Sequence, residues 1–137
     1  MVYLVSCTPL EQMSKKTFRY EVLKVDSTRS FAFPFDFNRA KDLRAAQMFT
    51  SAAYVYINLF PTYRDSVIEE SIRMSEEIRQ VDSLSGTIWY FQQALGEELL
   101  KDPVIRPADG KLNQQEMKRR YTWTSELINA LEARGVR

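Results

Sequence analysis

The stretch that decides the fold is residues 38–60, which read NRAKDLRAAQMFTSAAYVYINLF. At helical spacing its apolar side chains form two stripes that together cover most sides of a helix. The first stripe contains Leu43, Ala46, Thr50, Ala53, Ile57 and Phe60, and the second contains Met48, Ala52, Tyr56 and Leu59. A helix that is apolar on most sides belongs in the middle of a fold. The sequence therefore predicts a central helix that is capped by Asn38 and ended by Pro61.

Three further helices are predicted downstream of the central one. They span residues 62–81, 86–101 and 113–135, and each carries apolar residues at helical spacing on one face. Because the connections between them are short, neighbouring helices are expected to run antiparallel. Residues 38–137 are thus predicted to form a four-helix antiparallel bundle.

The residues before the bundle alternate between apolar and polar types, which is typical of β-strands. Residues 17–25 read TFRYEVLKV, and residues 30–36 repeat the alternation after a turn-forming Asp-Ser-Thr-Arg-Ser cluster. The pattern predicts an antiparallel β-hairpin over residues 17–37. The apolar residues 2–6, VYLVS, are a candidate third strand.

The predicted fold class is therefore α+β and mainly α, with an N-terminal hairpin or a small three-stranded sheet packed on the four-helix bundle. A chain of 137 residues, 45% of them apolar and 27% charged, is the size and composition of one globular domain. We expect a single domain over residues 1–137. It divides into an N-terminal segment at 1–16, the hairpin at 17–37 and the bundle at 38–137.

Phenylalanine occupies every odd position of residues 31–37, FAFPFDF. Burying each ring contributes roughly 1.5–3 kcal/mol, so a stable monomer would cover all four. One interpretation is that they cover an apolar groove of the bundle. The other is that Pro34, which has no N–H to donate, marks a sheet edge whose aromatic surface binds a partner. The predicted partner-binding residues are Tyr20, Phe31, Phe33 and Phe35.

The composition argues against most catalytic and metal sites. The chain has no histidine and one cysteine, which excludes His-based acid–base catalysis and the usual zinc ligand sets. The four glycines form no phosphate-binding motif. Adjacent pairs such as Glu97–Glu98 point about 100° apart on a helix instead of converging. We therefore predict no enzymatic activity, no cofactor and no metal.

The function expected from these observations is that of a non-enzymatic protein-interaction module. We predict a small accessory or adaptor subunit of a larger assembly, which binds a protein partner through the aromatic hairpin. A homo-oligomer is compatible with the same surface. With a formal net charge of +1, the whole molecule is not an electrostatic partner for nucleic acid or anionic lipid.

An alternative function is nucleic-acid binding by the last helix. Residues 118–123, KRRYTW, combine cations that contact phosphates with aromatic rings that stack on bases. The three cations fan over about 200° of helix, so at least one must leave any single binding face. Tyr121 also lies on the predicted core stripe of this helix. The candidate contacts are Lys118, Arg119, Arg120 and Trp123.

A second alternative is a membrane-tethered accessory lipoprotein. Residues 4–7, LVSC, have the form of a lipobox, in which a small residue precedes a cysteine that becomes lipid-modified. A secretory signal needs a basic start and an apolar run of about 7–15 residues. Since only MVYLVS precedes Cys7, lipidation requires a longer native N-terminus. Without it, a cytoplasmic location is predicted.

Overall fold

The computed structural model describes residues 35–137, which form five α-helices and one short 3-10 helix. The helices are α1 (Phe37–Ala45), α2 (Phe49–Leu59), α3 (Arg64–Val81), α4 (Thr87–Glu97), the 3-10 helix (Leu99–Lys101) and α5 (Gln114–Ala133). This part of the chain contains no strand, so the prediction of a mainly α fold is confirmed there. None of its helices has the length and apolar character needed to cross a membrane. The predicted hairpin and the segment at 1–16 lie outside the described residues, apart from residues 35–37.

The predicted helix over residues 38–60 is in fact two helices, so the prediction of four helices is wrong. α1 begins at Phe37, because the side chain of Asp36 rather than Asn38 accepts a hydrogen bond from the Arg39 N–H at 2.8 Å. It ends where Gln47 adopts a φ of 60°, in the left-handed region. The next N–H, that of Met48, returns to the Leu43 carbonyl at 2.8 Å, which completes a Schellman motif.

The second of these helices, α2, lies in the centre of the fold, as its two apolar stripes predict. It packs against α1, α3, α4 and α5. Six consecutive residues, 52–57, are buried, which requires neighbours on every side of the helix. Ala52 and Ala53 are fully buried and allow neighbouring helices to approach closely. Because α2 is surrounded, the hydroxyls of Tyr54 and Tyr56 form buried hydrogen bonds.

The chain after α5 folds back onto the start of α4. The carbonyl of Arg137 accepts a hydrogen bond from the Ile88 N–H at 3.1 Å, and Val136 is buried. Gly86 is required at this crossing, since a Cβ there would lie 2.6 Å from the Arg137 carbonyl oxygen. The contact places residues 135–137 beside the loop between α3 and α4.

Candidate functional site

Two ionic clusters lie on different sides of α2, and the first is centred on Arg44. We call Arg44, Tyr56, Glu70 and Glu77 the Arg44 cluster. The guanidinium of Arg44 donates from Nε and Nη2 to the two carboxylate oxygens of Glu77, at 2.8 and 2.6 Å. Its Nη1 donates to the Tyr56 hydroxyl at 3.0 Å and to Glu70 at 2.8 Å. The fork of Arg44 therefore joins α1 to α2 and α3 by charge-assisted hydrogen bonds.

The electrostatics of the Arg44 cluster favour its paired form. The hydrogen bond with Glu77 raises the pKa of Arg44, although burial opposes the shift. Burial raises the pKa of Tyr56 to about 12, against the lowering effect of the hydrogen bond from Arg44. Arg73 also pairs with Glu70, at 3.3 Å. A cleft of about 260 Å³ opens beside the cluster, but the cluster's charged groups bond each other. The arrangement holds three helices together.

The second cluster joins α2 and α5 to the loop that connects the 3-10 helix with α5. We call Tyr54, Asp102, Glu116 and Arg120 the Arg120 cluster. The Tyr54 hydroxyl donates to Asp102 at 2.7 Å, and the Val104 N–H donates to the other oxygen of that carboxylate at 2.9 Å. Asp102 and Arg120 are only 1% and 6% exposed. Burial, followed by the hydrogen bond to Asp102, raises the pKa of Tyr54.

Arg120 has fewer hydrogen bonds than its burial would lead one to expect. Its Nη1 pairs with Glu116, and its Nη2 lies 3.8 Å from Asp102. Its Nε is buried without a hydrogen-bond partner. The guanidinium instead lies over the ring of Trp123, with Cζ 4.9 Å from the ring centroid, which is a cation–π contact.

The structure separates the four residues considered for nucleic-acid binding. Arg120 points inward, and Trp123 is half-buried beneath its guanidinium. Lys118 and Arg119 are exposed, and Arg119 pairs with Glu116. Tyr121, expected in the core, is half-exposed, because the buried line of α5 runs one position earlier. That line consists of Arg120, Thr124, Leu127 and Leu131.

Of the four aromatic residues predicted to bind a partner, the structure describes only Phe35. Its half-buried ring meets the Tyr54 ring edge-on, with centroids 5.7 Å apart. Tyr20, Phe31 and Phe33 lie outside the described residues, as does Cys7. The two glutamates expected to diverge do so, since Glu97 is exposed and Glu98 is buried.

Glu98 and the other carboxylates of residues 35–137 do not assemble into a metal site. No group of three or more potential ligands comes together within that range. Glu98 accepts a hydrogen bond from Ser51 at 3.0 Å and lies 3.6 Å from Lys101. Burial raises its pKa, and Lys101 opposes the shift. Its partners are those of a carboxylate that ties α2 to the end of α4.

Three exposed apolar side chains, which sequence reasoning missed, lie where α3 is followed by α4. We call Val81, Leu84 and Trp89 the tip patch; the side chain of Leu84 is 96% exposed. Between them Asp82 accepts hydrogen bonds from the Leu84 and Ser85 N–H groups, at 3.3 and 3.1 Å. Its second oxygen accepts from the Tyr90 hydroxyl at 2.8 Å. The hydrogen bonds from Ser85 and Tyr90 lower the pKa of Asp82.

Leu84 of the tip patch lines a cavity next to the end of α3 and the start of α4. This cavity has a volume of about 420 Å³ and is lined by hydroxyl groups and two arginines, among them Ser75, Arg79, Ser83, Ser85 and Arg137. Arg79 is paired with Glu76. The only local sequence signal for the tip was the run DSLSG. This run indicates a turn between two helices, but it does not indicate which of its residues is exposed.

No protein-family model, curated protein or solved structure is significantly similar to this chain.

Proposed function

We propose that this protein is a non-enzymatic interaction module, a small accessory or adaptor subunit of a larger assembly in the cytoplasm. The observation that carries the proposal is Leu84, which is 96% exposed in a loop that hydrogen bonds to Asp82 hold in place. Transferring a leucine side chain out of water contributes roughly 1.5–3 kcal/mol. A folded partner that covers Leu84 would gain this contribution.

The fixed conformation of the tip supports binding as much as its apolar character does. Binding by a loop that is already ordered avoids the entropy of ordering it. The carboxylate of Asp82 bonds both the loop and Tyr90 at the start of α4, so the backbone is held before any partner arrives. Trp89 adds a half-exposed aromatic side chain, the type most often found at the energetic centre of an interface.

The hydrogen bonds within the two ionic clusters indicate that their buried charges have a structural role. In the Arg44 cluster every nitrogen of the guanidinium donates to a carboxylate or to Tyr56. In the Arg120 cluster Asp102 accepts from Tyr54 and from the backbone of Val104. Carboxylates engaged in this way hold helices together, so the proposed binding region lies on the surface of the protein.

The aromatic surface of Tyr20, Phe31, Phe33 and Phe35 remains part of the proposal as a second contact region. Phe35, the last of these residues, packs against the core residue Tyr54. We expect Phe33→Asp to abolish partner binding or self-association while the far-ultraviolet circular dichroism keeps its helical shape. Loss of the helical signal would assign these residues to the core.

The test of the tip compares Leu84→Asp with Ser83→Asp, which introduces the same charge one position away at another exposed residue. Both proteins are expected to unfold at the wild-type temperature. Leu84→Asp should lose a stoichiometric protein partner, or a self-associated form, that survives nuclease treatment. Ser83→Asp should retain it. A wild-type monomer without a stoichiometric partner contradicts the proposal, as do equal effects of the two variants.

A further inference from the structure

The loop between the 3-10 helix and α5 carries a second exposed surface, which is both apolar and cationic. We call Val104, Arg106, Lys111 and Leu112 the proline-loop surface, since Pro103 and Pro107 lie in the same loop. The side chains of Val104 and Leu112 are 49% and 40% exposed, and both cations are exposed. A loop with this composition differs from the tip patch, whose three members are all apolar.

Backbone hydrogen bonds to two buried residues of the loop, Asp102 and Ile105, hold the loop in one conformation. The backbone carbonyl of Asp102 accepts hydrogen bonds from the Ile105 and Arg106 N–H groups, at 2.9 and 2.8 Å. Ile105 is fully buried, and its carbonyl accepts from the Asn113 N–H at 2.8 Å. Val104 and Leu112 each adjoin one residue of this bonded pair, so their backbones lie near each other. The surface is therefore ordered before it meets a partner.

The charge of the loop is not balanced within the described part of the protein. Arg106, Lys111 and the nearby Lys118 form no ion pair with any residue of 35–137, whereas Arg44, Arg73, Arg79, Arg119 and Arg120 do. Residues 101–121 contain six basic and three acidic side chains. Of the three acids in residues 101–121, Asp102 is buried and Glu116 pairs with two arginines. Asp109 is therefore the one exposed acid in this range that is not paired with an arginine. The solvent-facing charge is positive.

We propose that the proline-loop surface docks an acidic segment of a different protein, one that also presents apolar side chains. The inference rests on the proposed function and adds the chemistry of the partner. Complementary charge steers such a segment to Arg106 and Lys111, and Val104 and Leu112 supply the apolar contact. Without such a segment, the two cations and the two apolar side chains all face water.

The same observations argue against two other occupants. The chain's own residues 1–34 contain five basic and three acidic side chains, so they match the charge of the loop poorly. Single-stranded nucleic acid is bound by cations together with aromatic rings on which bases stack. The apolar members of this surface are Val104 and Leu112, which have no aromatic face.

The experiment replaces Val104 by the photo-crosslinking residue p-benzoylphenylalanine in the full chain. The protein is irradiated in an extract of the source organism, and the crosslinked peptides are sequenced by mass spectrometry. Leu112 carries the photo-residue in a second protein, in case the first does not fold. We expect a crosslinked segment with net negative charge and apolar residues. Its yield should fall roughly fivefold or more in Arg106→Glu.

The matched control is Arg134→Glu, which changes the net charge equally at the other end of α5, about 30 Å along the helix. Arg134 is exposed and, like Arg106, has no ion pair within residues 35–137. This variant should keep the wild-type yield. Equal losses in Arg106→Glu and Arg134→Glu would overturn the inference, since they would show a response to net charge alone.

Other outcomes also overturn the inference. They are a crosslink to nucleic acid, to residues 1–34, to a second copy of this chain or to a neutral or basic segment, and the absence of any specific crosslink. A third protein with the photo-residue at Leu84 separates the two proposals. Crosslinks at Leu84 without crosslinks at Val104 or Leu112 leave the proposed function standing and reject the acidic partner. The absence of crosslinks at all three positions rejects both.

Discussion

Tyr54 and Tyr56 lie two positions apart on α2, and their hydroxyls reach the two ionic clusters on different sides of the helix. Each hydroxyl bonds a carboxylate that also faces an arginine. The clusters differ in how completely that arginine is bonded. All three guanidinium nitrogens of Arg44 donate hydrogen bonds, whereas Nε of Arg120 has no partner and its Nη2 lies 3.8 Å from Asp102.

The clusters also differ in their access to water, and this difference decides the energetics. The side chain of Glu77 is 42% exposed, so part of the Arg44 cluster can be solvated if a partner is lost. The side chains of Asp102 and Arg120 are 2% and 7% exposed. Removing one partner of a buried ion pair leaves a charge that water cannot reach. The less completely bonded cluster is therefore expected to be the more sensitive to mutation.

The largest expected effect is that of Asp102→Ala, which should destabilise the protein by about 3–5 kcal/mol. The change leaves the Tyr54 hydroxyl and the Val104 N–H without their acceptor and removes the counter-charge near Arg120. Urea unfolding followed by circular dichroism measures the loss. Asp109→Ala, in the same loop but exposed, serves as the control and should change stability by less than about 0.5 kcal/mol. Similar losses in the two variants would contradict the role of burial.

Arg44→Met should have a smaller effect, about 1.5–3 kcal/mol, although it removes more hydrogen bonds. Glu77 can turn toward water, and Glu70 keeps its contacts with Tyr56 and Arg73. The control is Arg73→Met, whose side chain is largely exposed and whose pair with Glu70 should contribute about 0–1 kcal/mol. If Arg44→Met destabilises the protein as much as Asp102→Ala does, the number of hydrogen bonds matters more than burial. This result would contradict the view that access to water decides the difference between the clusters.

The two tyrosines permit the same comparison with a single oxygen atom removed. Tyr54→Phe deletes the short hydrogen bond to Asp102 and should cost about 1.5–2 kcal/mol. Tyr56→Phe should cost about 0.5–1 kcal/mol, because Glu70 still accepts from Arg44. Thermal unfolding ranks the variants directly. A double-mutant cycle of Tyr54→Phe with Asp102→Asn should show coupling, and additive effects would count against a direct bond between them.

The central position of α2 could be predicted from the sequence, but the break before it could not. The apolar stripes over residues 38–60 reflect burial on most sides, and residues 52–57 are indeed all buried. Helices commonly end at a glycine with positive φ, whereas here Gln47 takes that conformation. Gln47 fits a helix interior as well as most residues do, so its sequence contains no stop signal.

The ionic clusters were beyond local sequence reasoning, because their members are far apart in the chain. Arg44 and Glu77 are 33 positions apart, and Tyr54 and Asp102 are 48 positions apart. Arg120 illustrates the consequence. A charged residue interrupts the buried line of α5, so the apolar pattern pointed instead to Tyr121, which is half-exposed. Glu116 is only four positions before Arg120 in the same helix, but tertiary structure alone brings Asp102 near the buried guanidinium.

The smallest predicted effect is a loss of stability at alkaline pH that both tyrosines share. Burial raises the pKa of Tyr56 to about 12 and raises that of Tyr54 as well, from an ordinary value of 10.0. Because the folded values are the higher ones, this stabilisation is fully present well below pH 10 and is lost as pH rises through 10 toward them. Between pH 8 and pH 10 each tyrosine should contribute a loss of about 0.4 kcal/mol.

Urea unfolding at the two pH values measures this loss, and each Tyr→Phe variant should lose about 0.4 kcal/mol less than the wild type. The other titrating groups are common to all three proteins, so the difference isolates the tyrosine. An unchanged pH dependence in either variant would show that its hydroxyl titrates alike in the folded and unfolded chains. Above pH 12 the two clusters should differ in the ionisation of their tyrosines. Arg44 lowers the pKa of Tyr56 and Asp102 raises that of Tyr54, so Tyr56 should ionise first in the folded protein.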